Sequence, residues 1–217
     1  MTDIDIPATD RILTTTRAVR RRLDLDRPVD EQVLLDCVDI AQQAPTGGNR
    51  QGWSFVVVRD AEKRRRLGEL YRSVAREAFE TSRAAAPTEQ TARAYDSALY
   101  LADHLEHVPV HVIPCIAGRP EGLPPAKLAG MYGSIIPAMW SFMLALRARG
   151  LGSAWTTMHL YHEAAAAELL ELPADVTQVA LIPVAYYTGN TFSKAARPPA
   201  NSLVHWDHWT GGQAPRE

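Results

Sequence analysis

The chain has 217 residues, 46% hydrophobic and 22% charged, a length and balance suited to one globular domain spanning residues 1–217 with a buried core. Its formal net charge of −2 supplies no long-range attraction for a polyanion, which argues against a nucleic-acid partner. Cys37 and Cys115 stand far apart and read as buried, reduced thiols. Met1 to Asp10 has no apolar signal region, and the most apolar stretch, Ile135 to Leu146, is shorter than the roughly 20 residues of a membrane span. The expectation is a cytoplasmic protein without a membrane partner.

The first dozen residues read as a polar arm and the start of a helix. After the break at Arg27-Pro28-Val29, Asp30 is a good N-cap for a helix from Glu31 to Ala44, where Val33, Leu34, Cys37, Val38 and Ala41 recur at helical spacing. Pro45 stops that helix, and Thr46-Gly47-Gly48-Asn49 is a loop. Ser54 to Val58 is a short β-branched run, predicted as a buried strand. Asp60 caps a charged helix from Ala61 to about Ser82, and a third helix spans roughly Ala92 to His107. Val110 to Ile113 is a second strand that Pro114 should limit. Ile135 to Arg149 is a buried helix entered at Pro137 and ended by Gly150. Ser153 to Met158 is a third strand, and His162 to Leu170 an alanine-rich helix. Gln178 to Tyr187 is a fourth strand, placed partly at an edge by Pro183. The tail from Gly189 is irregular, yet Phe192, Trp206 and Trp209 give it more apolar surface than a free tail carries. Helices and strands alternate without a strict βαβ rhythm.

Three separate segments carry candidate chemistry. Arg17, Arg20, Arg21 and Arg22 form a basic cluster, and arginine forks match phosphate oxygens without deprotonating; a charge run of this kind is otherwise a solvated face. Thr46, Gly47, Asn49 and Gln51 combine amide side chains with glycine-loosened backbone, which suits the donor and acceptor edge of a flat heteroaromatic ring. Arg197-Pro198 precedes His205-Trp206-Asp207 and adds a late cation. Gly150-Leu151-Gly152 begins like a dinucleotide fingerprint, but Trp155 stands at the third glycine and the segment runs from helix to strand, the reverse order. His104, His107 and His111 are closely spaced without a zinc pattern, so no metal site is assigned. No nucleophile elbow or cysteine-protease signature is present.

Taken in order, these segments resemble the nitroreductase family of flavoenzymes over about residues 10 to 210. Thr16-Arg17-Ala18-Val19-Arg20-Arg21 is similar to its Arg-x-Ser-Val-Arg pattern, with Ala18 in place of serine, so one phosphate hydroxyl contact is missing or comes from elsewhere. Arg17 and Arg20 fit when aligned from the left, Arg21 and Arg22 when aligned from Pro28-Val29; Arg17, Arg20 and Arg21 are the assigned set. Pro45-Thr46-Gly47-Gly48-Asn49-x-Gln51-x-Trp53 resembles Pro-Ser-x-x-Asn-x-Gln-Pro-Trp, with Thr46 keeping the hydroxyl and Gly52 replacing proline. The family lays the segment matching Trp155, Thr156, Thr157 and Met158 beside the flavin. It returns an arginine, here Arg197, to the flavin phosphate, with Lys194 a weaker candidate.

The resemblance implies an α+β fold with a mainly antiparallel central sheet flanked by helices, and an intertwined homodimer carrying two FMN sites at the subunit interface. It also implies NAD(P)H as co-substrate and hydride passage through flavin N5 to a small-molecule acceptor such as a nitroaromatic or a quinone. No side chain needs to act as acid or base, and none is assigned as catalytic. The alternatives are a non-catalytic flavoprotein that stores FMN, or a specialised member performing reductive dehalogenation or flavin cleavage.

Overall fold

The computed structural model describes residues 4–209. The chain forms two compact units, one from Thr16 to Asn190 and one from the terminal segments up to Thr15 and from Thr191 onward. In the terminal unit, helix α1 (Ile6–Thr15) is followed far along the chain by an irregular tail with one short 3-10 turn, Ala200–Ser202. His205 and Trp209 stack at 4.2 Å between ring centroids.

In the central unit, α2 (Glu31–Ala41) begins where expected, with the Asp30 carboxylate accepting the Gln32 N–H at 2.7 Å. It ends before Ala44 because its last turn tightens: Gln43 and Ala44 donate to Ile40 and Ala41, three residues back. Strand β1 (Trp53–Val58) follows, then α3 (Ala61–Ala84), capped by Asp60. Helix α4 (Glu89–His104) starts earlier than its alanine pattern suggests, because the Thr88 hydroxyl accepts the Thr91 N–H; Leu105–His107 is a separate 3-10 turn.

Strand β2 (Val110–Ala117) runs straight through Pro114. On one side it pairs with β1 along its length. On the other its ladder breaks at Pro114, whose carbonyl accepts the Val179 N–H at 2.9 Å. A residue's N–H and C=O point to the same side of an antiparallel strand, so the N–H that proline lacks falls at this break. Helix α5 (Pro125–Ala148) starts ten residues before the expected Ile135, with Pro125 in its first turn and Pro137 inside it. Its glycine-bearing first half hid it from the apolar periodicity. At 24 residues, with a window of mean hydropathy 1.4, α5 is long and apolar enough to cross a membrane, contrary to the sequence reading. In the fold it is the core helix: Ile135, Met139, Phe142 and Leu146 are fully buried. Gly150 ends it at φ 78°.

Strand β3 (Leu151–Ser153) is much shorter than the expected Ser153 to Met158; Thr156 makes only an isolated bridge to Leu181, and Met158–His162 is a 3-10 turn. Helix α6 (Glu163–Leu170) closes with Glu171 in the left-handed region. The single strand expected over Gln178 to Tyr187 is two, β4 (Val176–Gln178) and β5 (Ile182–Tyr186), and both pair with β2. The five-stranded sheet has the order β1-β2-β5-β3, with β4 beside β2. Pro183 is therefore interior rather than at an edge; it sits opposite His111, and the β3–β5 ladder stops at Val184, one residue short of it. All pairings are antiparallel, so the fold is the expected α+β architecture. The core lies between the sheet, α2 and α5, joining Val112, Ile182 and Val184 to Cys37, Met139 and Phe142.

The arginine segment is laid against β3. The Val19 N–H donates to Ser153 O at 2.8 Å, and Leu23 bridges Tyr187. Gly152 is required there, because a Cβ on it would lie 2.8 Å from the Val19 Cβ.

Candidate functional site

Val19 and Leu23 turn inward and anchor the segment; the residues between them point elsewhere. Arg20 is half-buried and donates from Nη1 to the Ser97 hydroxyl of α4 at 3.2 Å. Burial pulls its pKa below the usual arginine value, opposed by the Tyr71 hydroxyl. It makes no ion pair among the described residues. Arg21 is exposed, donates to Asp96 O at 3.1 Å and lies 5.2 Å over the Tyr100 ring. Arg17 is also exposed, and the Arg22 carbonyl accepts from Thr188.

Arg20 faces a hollow of about 240 Å³ whose other walls are Tyr71 and Phe79 of α3, Tyr95 of α4, and the run Trp155–Met158. The fold thus brings together Arg20 and all four residues expected beside a flavin. The aromatic wall escaped the sequence reading, because α3 reads as a charged helix. Its signal was there: Tyr71, Ala75 and Phe79 recur at four-residue spacing, and Tyr71 and Ala75 are buried.

The Thr46–Gln51 loop lies elsewhere. Gly48, Asn49 and Gln51 have φ of 63°, 51° and 50°. Left-handed backbone disfavours non-glycine residues, and Asn is the type that tolerates it best. The turn is held by the Thr46 carbonyl, which accepts from Asn49 N at 3.0 Å, and by the Thr46 hydroxyl, which accepts from Gln51 N at 3.2 Å. Gln51 Nε2 donates to Asn49 Oδ1 at 3.0 Å, leaving the Asn49 amide nitrogen and the Gln51 carbonyl oxygen for another molecule. A second tie fixes the loop to α5: the Gly47 N–H donates to the Ser134 hydroxyl at 3.0 Å, which donates to Gly130 O at 2.7 Å. Between this loop, the end of β2 and the first turns of α5 lies a cleft of about 810 Å³. Thr46 and Gly47 line it; Asn49 and Gln51 face an adjoining depression of about 370 Å³. Arg50, Lys127 and Ser134, also on the cleft, were not identified from sequence.

Arg197, in the terminal unit, is exposed and donates to Ala196 O at 3.1 Å. Two histidines near the aromatic hollow are wholly buried. His111 donates from Nε2 to Leu105 O at 2.8 Å, and neither ring nitrogen of His159 has a partner. Burial pushes both pKa values down to about 4. Among the described residues no three His, Cys, Asp or Glu side chains are grouped to hold a metal ion.

The sequence profile of the Nitroreductase family matches residues 13–186. Protein DrgA of a Synechocystis species is 31% identical over 137 residues, 63% of this chain and 64% of that protein. The chain thus matches just under two thirds of that relative's length. Among solved structures, iodotyrosine deiodinase bound to FMN and 3-iodo-L-tyrosine superposes with a TM-score of 0.69 at 18% identity, covering 91% of this chain and 98% of that one. A nitroreductase-like protein from Bacillus cereus superposes at 0.67 and 19%, covering 97% of this chain and 100% of that one. At these identities the likeness is one of fold.

Proposed function

The chain belongs to the nitroreductase family, and from that premise we propose that it is an FMN-dependent oxidoreductase working as a homodimer on a small-molecule acceptor. The observation that carries this reading is Arg20. A half-buried guanidinium with no carboxylate partner is costly by itself, and a phosphate dianion in the hollow before it would offset that cost. The surrounding surfaces suit the rest of the group: aromatic side chains, an irregular run of main chain at Trp155–Met158, and free amide groups on the Asn49 loop.

When bound, FMN supplies hydride transfer from NADH or NADPH to an acceptor such as a nitroaromatic or a quinone. The chain's own residues bind and orient. Arg20 holds the phosphate, with Arg17, Arg21 and Arg197 as further contacts on the family resemblance. Trp155, Thr156, Thr157 and Met158 line the ring. Thr46, Gly47, Asn49 and Gln51 meet its edge. Within one protomer Arg20 and the Asn49 loop line different hollows, which supports a site completed by the loop of a second protomer. Ile136 and Trp140 on α5, exposed at 40% and 39%, give such a partner an apolar face to cover.

The test is an equilibrium titration of the purified protein with FMN, followed by anaerobic addition of NADH or NADPH. The flavin absorbance should bleach and return when a nitroaromatic or quinone is added. Failure to take up FMN overturns the reading. Reduction by dithionite but by neither nicotinamide would replace it with a flavin-storage role.

A further inference from the structure

The cleft beside the Thr46 loop is not explained by flavin binding alone. Its charged lining residues are Arg50, Arg119 and Lys127, and no carboxylate lines it. Arg119 is already more than compensated by two carboxylates: its Nη1 and Nη2 reach the two Glu163 carboxylate oxygens at 2.7 and 3.0 Å, and Nη2 reaches Glu121 at 2.6 Å. It pins the loop after β2 to α6 and forms wall rather than ligand contact. Arg50 and Lys127 are exposed and make no ion pair among the described residues. Between them the floor is apolar, from Ile116, Leu123 and Met131, and the volume of about 810 Å³ suits a small organic molecule. The Gly47–Ser134–Gly130 tie holds the two sides of the cleft together.

We propose that this cleft binds an apolar molecule bearing a carboxylate or similar anionic group, held at the rim by Arg50 and Lys127, and that acceptors of this class carry a nitro or quinone group, which is reduced by the electron pair that NADH or NADPH, itself oxidised, gives up through the flavin. The role as acceptor rests on the oxidoreductase reading; the binding does not. Two unpaired cations above an apolar floor favour an anion over a neutral molecule of the same shape, and salt weakens that preference.

Equilibrium dialysis of the FMN-loaded protein against 4-nitrobenzoate and the neutral isostere 4-nitrobenzamide tests binding without needing turnover. Wild type should prefer the benzoate by about tenfold, and about 0.5 M salt should reduce that preference. Arg50→Gln and Lys127→Gln should each lower it about threefold, and the double variant should abolish it. Arg66→Gln on α3, whose charge is paired with Glu69 at 3.5 Å, should leave it unchanged. Equal affinity of wild type for the two probes, no binding of either, or a double variant that keeps the preference would overturn the proposal. The same cations could instead grip a nicotinamide phosphate. A raised KM for NADPH, with the nitrobenzoate preference intact, would assign them to that role and reject ours. Flavin reduction and turnover of an uncharged quinone report separately on the oxidoreductase reading.

Discussion

Replacing His159 with leucine should make the protein more stable at neutral pH and less sensitive to acid. His159 is fully buried, with no partner for either ring nitrogen, so the fold accepts only its neutral form. Burial is the main cause of its low pKa, opposed by Glu163. His111, beside it, is lowered by burial and further by Arg64 and His159, against the hydrogen bond it donates to the Leu105 carbonyl. Both groups have folded values of about 4 against 6.5 for the free side chain. Because the folded value is depressed, their contribution is complete above pH 6.5 and is lost as pH falls toward 4. At about pH 5 the unfolded imidazole is mostly protonated and the folded one is not, which removes about 2 kcal/mol of stability per histidine. Wild type should thus lose about 4 kcal/mol from these two groups between about pH 7.5 and pH 5, and His159→Leu about half as much. Leucine also relieves the unpaired nitrogens, worth about 1–3 kcal/mol at neutral pH. Urea unfolding of both proteins at the two pH values, at fixed FMN concentration, measures this. An equal acid loss in the variant and the wild type would refute the reasoning.

Three further outcomes are expected. Arg20→Gln should raise the FMN dissociation constant about ten- to hundredfold, the loss of one charge-assisted contact worth about 1.5–3 kcal/mol, and Arg17→Ala and Arg197→Ala should weaken binding in the same direction. Fluorescence titration checks all three, and unchanged affinity in Arg20→Gln would remove it from the site. Gly152→Ala should cost about 1–3 kcal/mol, because the new methyl meets Val19 at 2.8 Å and displaces the arginine segment; the melting temperature and FMN affinity should fall together. Light scattering at micromolar concentration should give the mass of a dimer with or without reducing agent, since Cys37 and Cys115 are both buried; a monomer with FMN fully bound would contradict the shared site.

Local chemistry was legible in the sequence wherever one residue decides an outcome. Asp30 and Asp60 cap helices in the expected way, and Gly150 ends α5. Prolines were legible only in part, because their effect depends on what lies beside them. Pro114 limits pairing as expected on one side of β2, where the ladder breaks, but not on the other; Pro183, expected partly at an edge, lies in an interior strand where the β3 ladder has just finished. Pro137 was read as a helix start because the true start, at Pro125, lies in a polar and glycine-bearing stretch. Of the candidate site residues, Arg20 and Trp155–Met158 line one hollow, while Thr46 to Gln51 line others. The aromatic wall from α3 and α4 and the cations at Arg50 and Lys127 depend on helix packing over long sequence separations, which no local pattern carries.

The isolated bridge at Thr156 also bears on how this protein could be re-engineered. Thr156 exchanges both main-chain hydrogen bonds with Leu181, at 3.2 and 2.8 Å, and the regular β3 ladder has already ended at Ser153. The hollow's inner wall is therefore stitched to the rest of the protein at one residue rather than woven into the sheet. Thr157 is exposed and can change size without shifting strand register, whereas Trp155 beside it packs against the hydrophobic core, so mutational freedom at the pocket is concentrated at Thr157. A library confined to Thr157 should yield folded variants with altered ligand preference far more often than one spread over β5, where each change is felt by two neighbouring strands.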